Sequence, residues 1–150
     1  MKKLLNKKGF TLVEMLVVIA IIAILVAVIV PTVTSSTDKA KAASDAANLR
    51  SIKAEIGIAM LSTDSNSVVY DATKKVVTVG TKAGHIQTIS VPPCNVNPDW
   101  QFAVNYDDKT NTLTVKYDKH TIDQFASVAS GSKKVSEIAS ESGSETPTVT

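Results

Sequence analysis

A single cysteine, Cys94, stands in 150 residues, so no disulfide can close within the chain. The thiol reads first as a small, partly buried hydrophobe, with an intermolecular bridge or a reactive thiol as the alternative. Histidine is nearly as scarce. His85 and His120 have no cysteine or carboxylate at zinc-ligand spacing. They are expected to be solvated, one at the start of a strand and one after a strand. A Gly-rich phosphate loop, a nucleophile elbow and a paired catalytic motif are all missing, so neither an enzyme nor a cofactor is expected. Aromatic residues make up only 5% of the chain, and any globular core must be small.

Positive charge is also scarce outside one place. Lys2, Lys3, Lys7 and Lys8 cluster without an acid among them; setting those four of 16 aside leaves 12 basic against 14 acidic side chains, or −2. A body with that balance lacks the positive field that nucleic-acid binding requires, so nucleic acid is an unlikely partner by net charge.

What is abundant is apolar sequence, and it is concentrated. Met15 to Val30 is an unbroken apolar run of 16 residues, extended backwards by Phe10, Leu12 and Val13. About 20 helical residues at 1.5 Å each span roughly 30 Å, the thickness of a bilayer's hydrocarbon core. The lysine cluster should stay cytoplasmic and the chain beyond Val30 should face outward. A secretory signal or signal anchor has this general form. Three details argue against an ordinary signal peptide. The run exceeds the usual length of about 7 to 15 residues, it leads into Pro31-Thr32-Val33-Thr34 rather than a small-x-small cleavage site, and it contains Glu14. A carboxylate in a membrane helix costs about 2.5 to 3.5 kcal/mol, which makes Glu14 a functional candidate.

Lys7-Lys8-Gly9-Phe10-Thr11-Leu12-Val13-Glu14, followed by an apolar helix, resembles the leader and cleavage site of type IV prepilins. The resemblance is most specific over Gly9 to Glu14 and fades beyond Leu61 into general architecture. It implies that a membrane prepilin peptidase cuts between Gly9 and Phe10, that the new Phe10 amine is N-methylated, and that the helix is retained. The bare Gly9 suits an active site that closes on backbone. In a filament Glu14 would be buried, and the Phe10 amine of a neighbouring copy is the nearest counter-charge. Glu14 would then set the register between copies.

Pro31 is expected to kink the helix. Beyond it Ala42, Ala46, Leu49, Ile52, Ile56 and Met60 recur at spacings of three and four, an apolar stripe able to dock on a sheet. Lys39, Lys41, Asp45, Arg50, Lys53 and Glu55 are assigned to the other sides. A helix from Thr11 to Leu61 would be roughly 75 Å long, too long to be buried within one small domain. A coiled-coil strand over Ala42 to Met60 is the alternative, but three clean heptads are lacking.

From Ser67 the period becomes alternating. Strands are expected at Ser67–Tyr70, Val76–Gly80, Ile86–Val91, Trp100–Tyr106 and Leu113–Tyr117, joined by turns at Asp71–Lys75, Lys82–Gly84 and Asp107–Thr112. Pro92-Pro93 and Pro98 bracket an irregular loop holding Cys94. Trp100, Phe102, Tyr106 and Tyr117 are read as core rather than as a binding platform. Asp107, Asn111 and Asp118 suggest a calcium loop, but Lys109 stands where an oxygen is needed and the sharp-turn glycine is missing, so a polar hairpin turn is preferred.

The expected fold is α+β: a long N-terminal helix packed on one antiparallel sheet of four to five strands. The expected organisation is a cleaved leader (1–9), the long helix (10–61, with 10–33 in the membrane or filament core), a β head (62–129, with a helical turn at Ile122, Phe125 and Val128) and a flexible polar tail (130–150). The usual disulfide-closed loop of the resembled family is absent. The resemblance implies a structural filament subunit, with the peptidase and the pilus assembly machinery as partners, held in the cytoplasmic membrane before assembly and on the cell surface after it. Glu14 points to an abundant subunit. A pseudopilin of a secretion or competence system and a monomeric signal-anchored binding domain are the alternatives.

Overall fold

The computed structural model describes residues 9–80 and 85–141. The expected leader up to Lys8 and the turn at Lys82–Gly84 lie largely outside the described residues. The chain divides into two compact units, Met1–Ser36 and Thr37–Thr150.

Helix α1 (Leu12–Thr63) runs through both and includes Pro31. Within the second unit it buries Ala42, Ala46, Leu49, Ile52, Ile56 and Ala59, one stripe at spacings of three and four. Asp45 is a departure. The sequence pattern assigns it to the outward charges, yet it lies on the buried face and is fully inaccessible.

Strands β1 (Val68–Asp71), β2 (Val76–Val79) and β3 (Gln87–Ser90) form one antiparallel sheet; β4 (Phe102–Asp107), β5 (Thr112–Tyr117) and β6 (His120–Thr121) form a second. The expected single sheet is therefore two, with β1 alongside β4. The break falls in the stretch with Pro92, Pro93 and Pro98, none of which has an amide to give to a ladder. The β6 strand was not expected, because a two-residue strand leaves no periodic signature.

The β1–β2 and β4–β5 hairpins use the same turn chemistry. Asp71 closes one loop by accepting the amides of Thr73 and Lys74, and Asp107 closes the other by accepting those of Lys109 and Thr110. Four residues beyond each aspartate the backbone takes positive φ, at Lys75 (54°) and Asn111 (52°). The registers Asp71↔Val76 and Asp107↔Thr112 follow from these turns.

Val77, Val79, Ile89, Val115, Phe102 and Tyr117 join the α1 stripe in one core. Helix α2 (Ile122–Ala129) adds Phe125 and Val128, so the expected helical turn is two full turns long. The flexible tail expected from Ser130 does not hold for the residues described to Glu141. Helix α3 (Val135–Ser140) forms there and buries Ile138 completely. Its pattern was too short to outweigh the Ser, Glu and Lys around it. Residues 142–150 lie outside the described residues.

Candidate functional site

Among the described residues of the N-terminal unit, none covers the apolar run. Met15 to Val30 is exposed throughout, and the most hydrophobic window of α1 is entirely unburied. At about 1.5 to 3 kcal/mol per large apolar side chain, covering the 13 of them in this run is worth tens of kcal/mol, a demand that water cannot meet.

The polar groups at the head of the run satisfy one another. Glu14 Oε2 accepts the Thr11 amide at 2.8 Å and the Thr11 hydroxyl at 2.8 Å, while the Glu14 amide donates back to Thr11 Oγ1 at 3.2 Å. This is the reciprocal capping box of a Thr-x-x-Glu sequence, and it supplies partners for amides that a helix start leaves open. The Thr-x-x-Glu spacing is the sequence signal that marks Thr11 as the cap, a role separate from the charge of Glu14. Gly9 and Phe10 precede α1, outside any helix or strand; a Cβ at Gly9 would meet nothing within 4 Å, and Phe10 is 80% exposed. The segment around the expected cleavage point is thus open to another molecule.

Pro31 lies within an unbroken helical assignment. It cannot donate to the carbonyl four residues earlier. Around it the Thr32, Thr34 and Ser36 hydroxyls donate to the carbonyls of Ile29, Val30 and Thr32 at 2.7, 3.0 and 3.0 Å. Those hydroxyls therefore need no water.

Residues 4–30 match a family described as the prokaryotic N-terminal methylation motif. The chain carries the leader motif of type IV prepilins. No curated protein and no solved structure matches it. The prepilin-type motif covers Gly9, Phe10, Thr11 and Glu14 and ends one residue before Pro31, so it coincides with the exposed half of α1. It belongs to structural rather than enzymatic proteins and implies processing by prepilin peptidase, while α1 fits a membrane anchor.

The remaining candidates lie in the head, outside the matched segment. Asp107 and Asn111 are not arranged around a cation. Asp107 is spent on its turn amides, with Lys109 first among the groups that hold its carboxyl below the ordinary range, and Asn111 Oδ1 accepts the Tyr106 hydroxyl. Asp118, with φ 52°, occupies the tight turn between β5 and β6. Phe102 and Tyr117 are buried, whereas Trp100 and Tyr106 are half-buried.

His85 is exposed as expected, but His120 is not solvated. It is 2% accessible, its Nε2 lies 2.9 Å from the Ile138 carbonyl, and its ring stacks on Trp100 with centroids 3.9 Å apart. Cys94 is buried more deeply than expected, and its Sγ donates to Asp45 Oδ2 at 3.1 Å. Burial, reinforced by that carboxylate, pushes the thiol up to about 12, so it keeps its proton at neutral pH.

Proposed function

We propose that this protein is a structural subunit, in particular the major pilin, of a type IV pilus. Prepilin peptidase cuts after Gly9, the Phe10 amine is N-methylated, and α1 carries the subunit from the membrane into a helical filament of copies. The observation that carries this reading is Glu14: a carboxylate at the start of an apolar helix that stands exposed among the described residues. Lipid hides such a helix before assembly. After assembly only other apolar helices can, and each Glu14 then needs a cation at its own depth, which the Phe10 terminus of a neighbour supplies.

The second half of α1 supports the same reading. Opposite its buried stripe, Ala40, Ala43, Ala47, Ala54, Ile58 and Leu61 recur at helical spacing and are all exposed, with Leu61 87% accessible. Small residues on that face permit close approach of a second helix. Pro31 is proposed to bend α1 between its two halves. The head faces outward from the cytoplasmic membrane and ends on the fibre surface.

Mass spectrometry of the mature chain tests the reading. A chain starting at N-methylated Phe10 is expected. A chain that retains Lys7 and Lys8, or one cut after Val30, would sink it. Electron microscopy of the producing cell distinguishes long surface fibres from the short piston of a pseudopilin.

A further inference from the structure

The head holds a cavity of about 190 Å³ whose lining lies outside the motif at residues 4–30. It opens between the β1–β2 hairpin, the proline-rich loop and the start of β4, and Tyr70 and Trp100 are half-buried rings on its wall. Both rings are backed by buried ones. Tyr70 meets Phe102 edge-on with centroids 5.0 Å apart, and Trp100 lies nearly flat on His120, 12° from parallel. Turning either ring away would break a packed contact.

The loop wall is fixed too. The Asp45 carboxylate accepts the amides of Asn95 and Val96, Tyr117 Oη donates to the Pro92 carbonyl at 2.8 Å, and the Val91 amide donates to the Lys75 carbonyl at 2.9 Å. The cavity is therefore formed before any ligand arrives, which lowers the ordering cost of binding.

The chemistry of its lining narrows the ligand. Lys75, Asp99 and Gln101 contribute one cation, one anion and one amide beside the rings. Opposite charges on one rim favour neither a cationic nor an anionic ligand. The volume is well below the roughly 300 to 1,000 Å³ of sites for drug-sized molecules. A small ring with an apolar face and hydrogen-bonding groups at its edge uses both kinds of wall. We propose that this cleft binds a neutral pyranose sugar, with a C–H face of the ring laid against Trp100 and Tyr70 and its hydroxyls bonded by Asp99, Gln101 and Lys75. A glycan-binding head goes beyond the filament reading and does not depend on it.

The chain has a single tryptophan, so its fluorescence reports on the cleft directly. The full-length protein, in a detergent without a sugar headgroup, is titrated with methyl α-D-mannopyranoside, methyl β-D-galactopyranoside and N-acetylglucosamine. A saturable change with at least one of them is expected, with affinity in the millimolar range, on the order of what one shallow ring subsite provides. Tyr70→Ala should weaken that binding about ten-fold. Asp99→Ala, at an exposed loop position, should also weaken it; this second variant answers the question if Tyr70→Ala fails the circular-dichroism check of folding. No saturable change with any of the three sugars would overturn the proposal. So would an equal response to a tetraproline peptide, which would mark the cleft as a peptide groove, or unchanged sugar affinity in the folded variants.

Discussion

The Asp45 carboxylate on α1 and the Cys94 thiol, 49 residues later in a proline-rich loop, meet at 3.1 Å in a fully buried site. Asp45 also accepts the Asn95 amide at 2.8 Å, the Asn95 side-chain amide at 2.7 Å and the Val96 amide at 2.8 Å. In a head without a disulfide, this carboxylate ties the loop to the helix. Removing it strands several donors in a dry site, and buried charged hydrogen bonds are costly to break. Asp45→Ala is expected to destabilise the head by about 3 kcal/mol. Asp45→Asn, which keeps one acceptor oxygen, should cost less. Denaturant unfolding followed by circular dichroism measures both; an Asp45→Ala midpoint equal to wild type would refute the latch.

Alkaline pH should loosen the same site. Burial raises Cys94 to about 12, and burial also raises the Tyr117 hydroxyl. A thiol raised in the folded state keeps its proton there while the unfolded chain, at about 8.5, has lost it. The unfolded state then binds fewer protons, so stability falls as pH rises. The contribution is complete below about pH 8.5 and lost progressively towards pH 12. Unfolding midpoints between pH 7 and 10.5 are expected to decline above the thiol's ordinary value, with a shallower decline in Cys94→Ala. Alkylation of the native protein at pH 8 should be slow and should become fast in denaturant.

Helix α3 is anchored chiefly through Ile138, with Val135 packed beside the core. Ile138 is fully buried, and its carbonyl lies 2.9 Å from His120 Nε2. Ile138→Ala should open a cavity and cost about 2 to 5 kcal/mol. Because His120 stacks on the single tryptophan, the same change is expected to shift Trp100 emission to the red. Emission identical to wild type would mean that α3 contributes nothing to this corner of the core.

Replacing Glu14 separates processing from assembly. Glu14→Ala should leave cleavage after Gly9 and membrane insertion intact, since an apolar helix inserts more easily without a charge. Filaments should be lost, and normal piliation in that variant would contradict the register role. Thr11→Ala removes half of the capping box and is expected to cost about 1 kcal/mol at the helix start while sparing cleavage.

Much of this architecture was legible residue by residue. The unbroken run from Met15 to Val30 and the spacing of Ala42 to Met60 are local patterns, and the β1–β2 and β4–β5 hairpins follow from turns closed by Asp71 and Asp107. The motif around Gly9 to Glu14 is equally local, down to the Thr11 cap. The misreadings share a different cause. Asp45 and His120 are polar residues that composition assigns to water, and both are buried because distant positions supply partners: the amides of Asn95 and Val96 for one, and for the other the Ile138 carbonyl at Nε2 and the stacked Trp100 ring, with Nδ1 left without a hydrogen bond.

The sequence by itself thus determined the long helix, its exposed apolar half and the alternation of the head, because run length and period act over a few residues. Only the tertiary structure decided where the sheet divides, which polar groups enter the core, that the chain beyond Ser130 folds back, and that Tyr70 and Trp100 frame one cavity. Those outcomes depend on which remote donor, acceptor or ring arrives at a given place, and no local pattern encodes that.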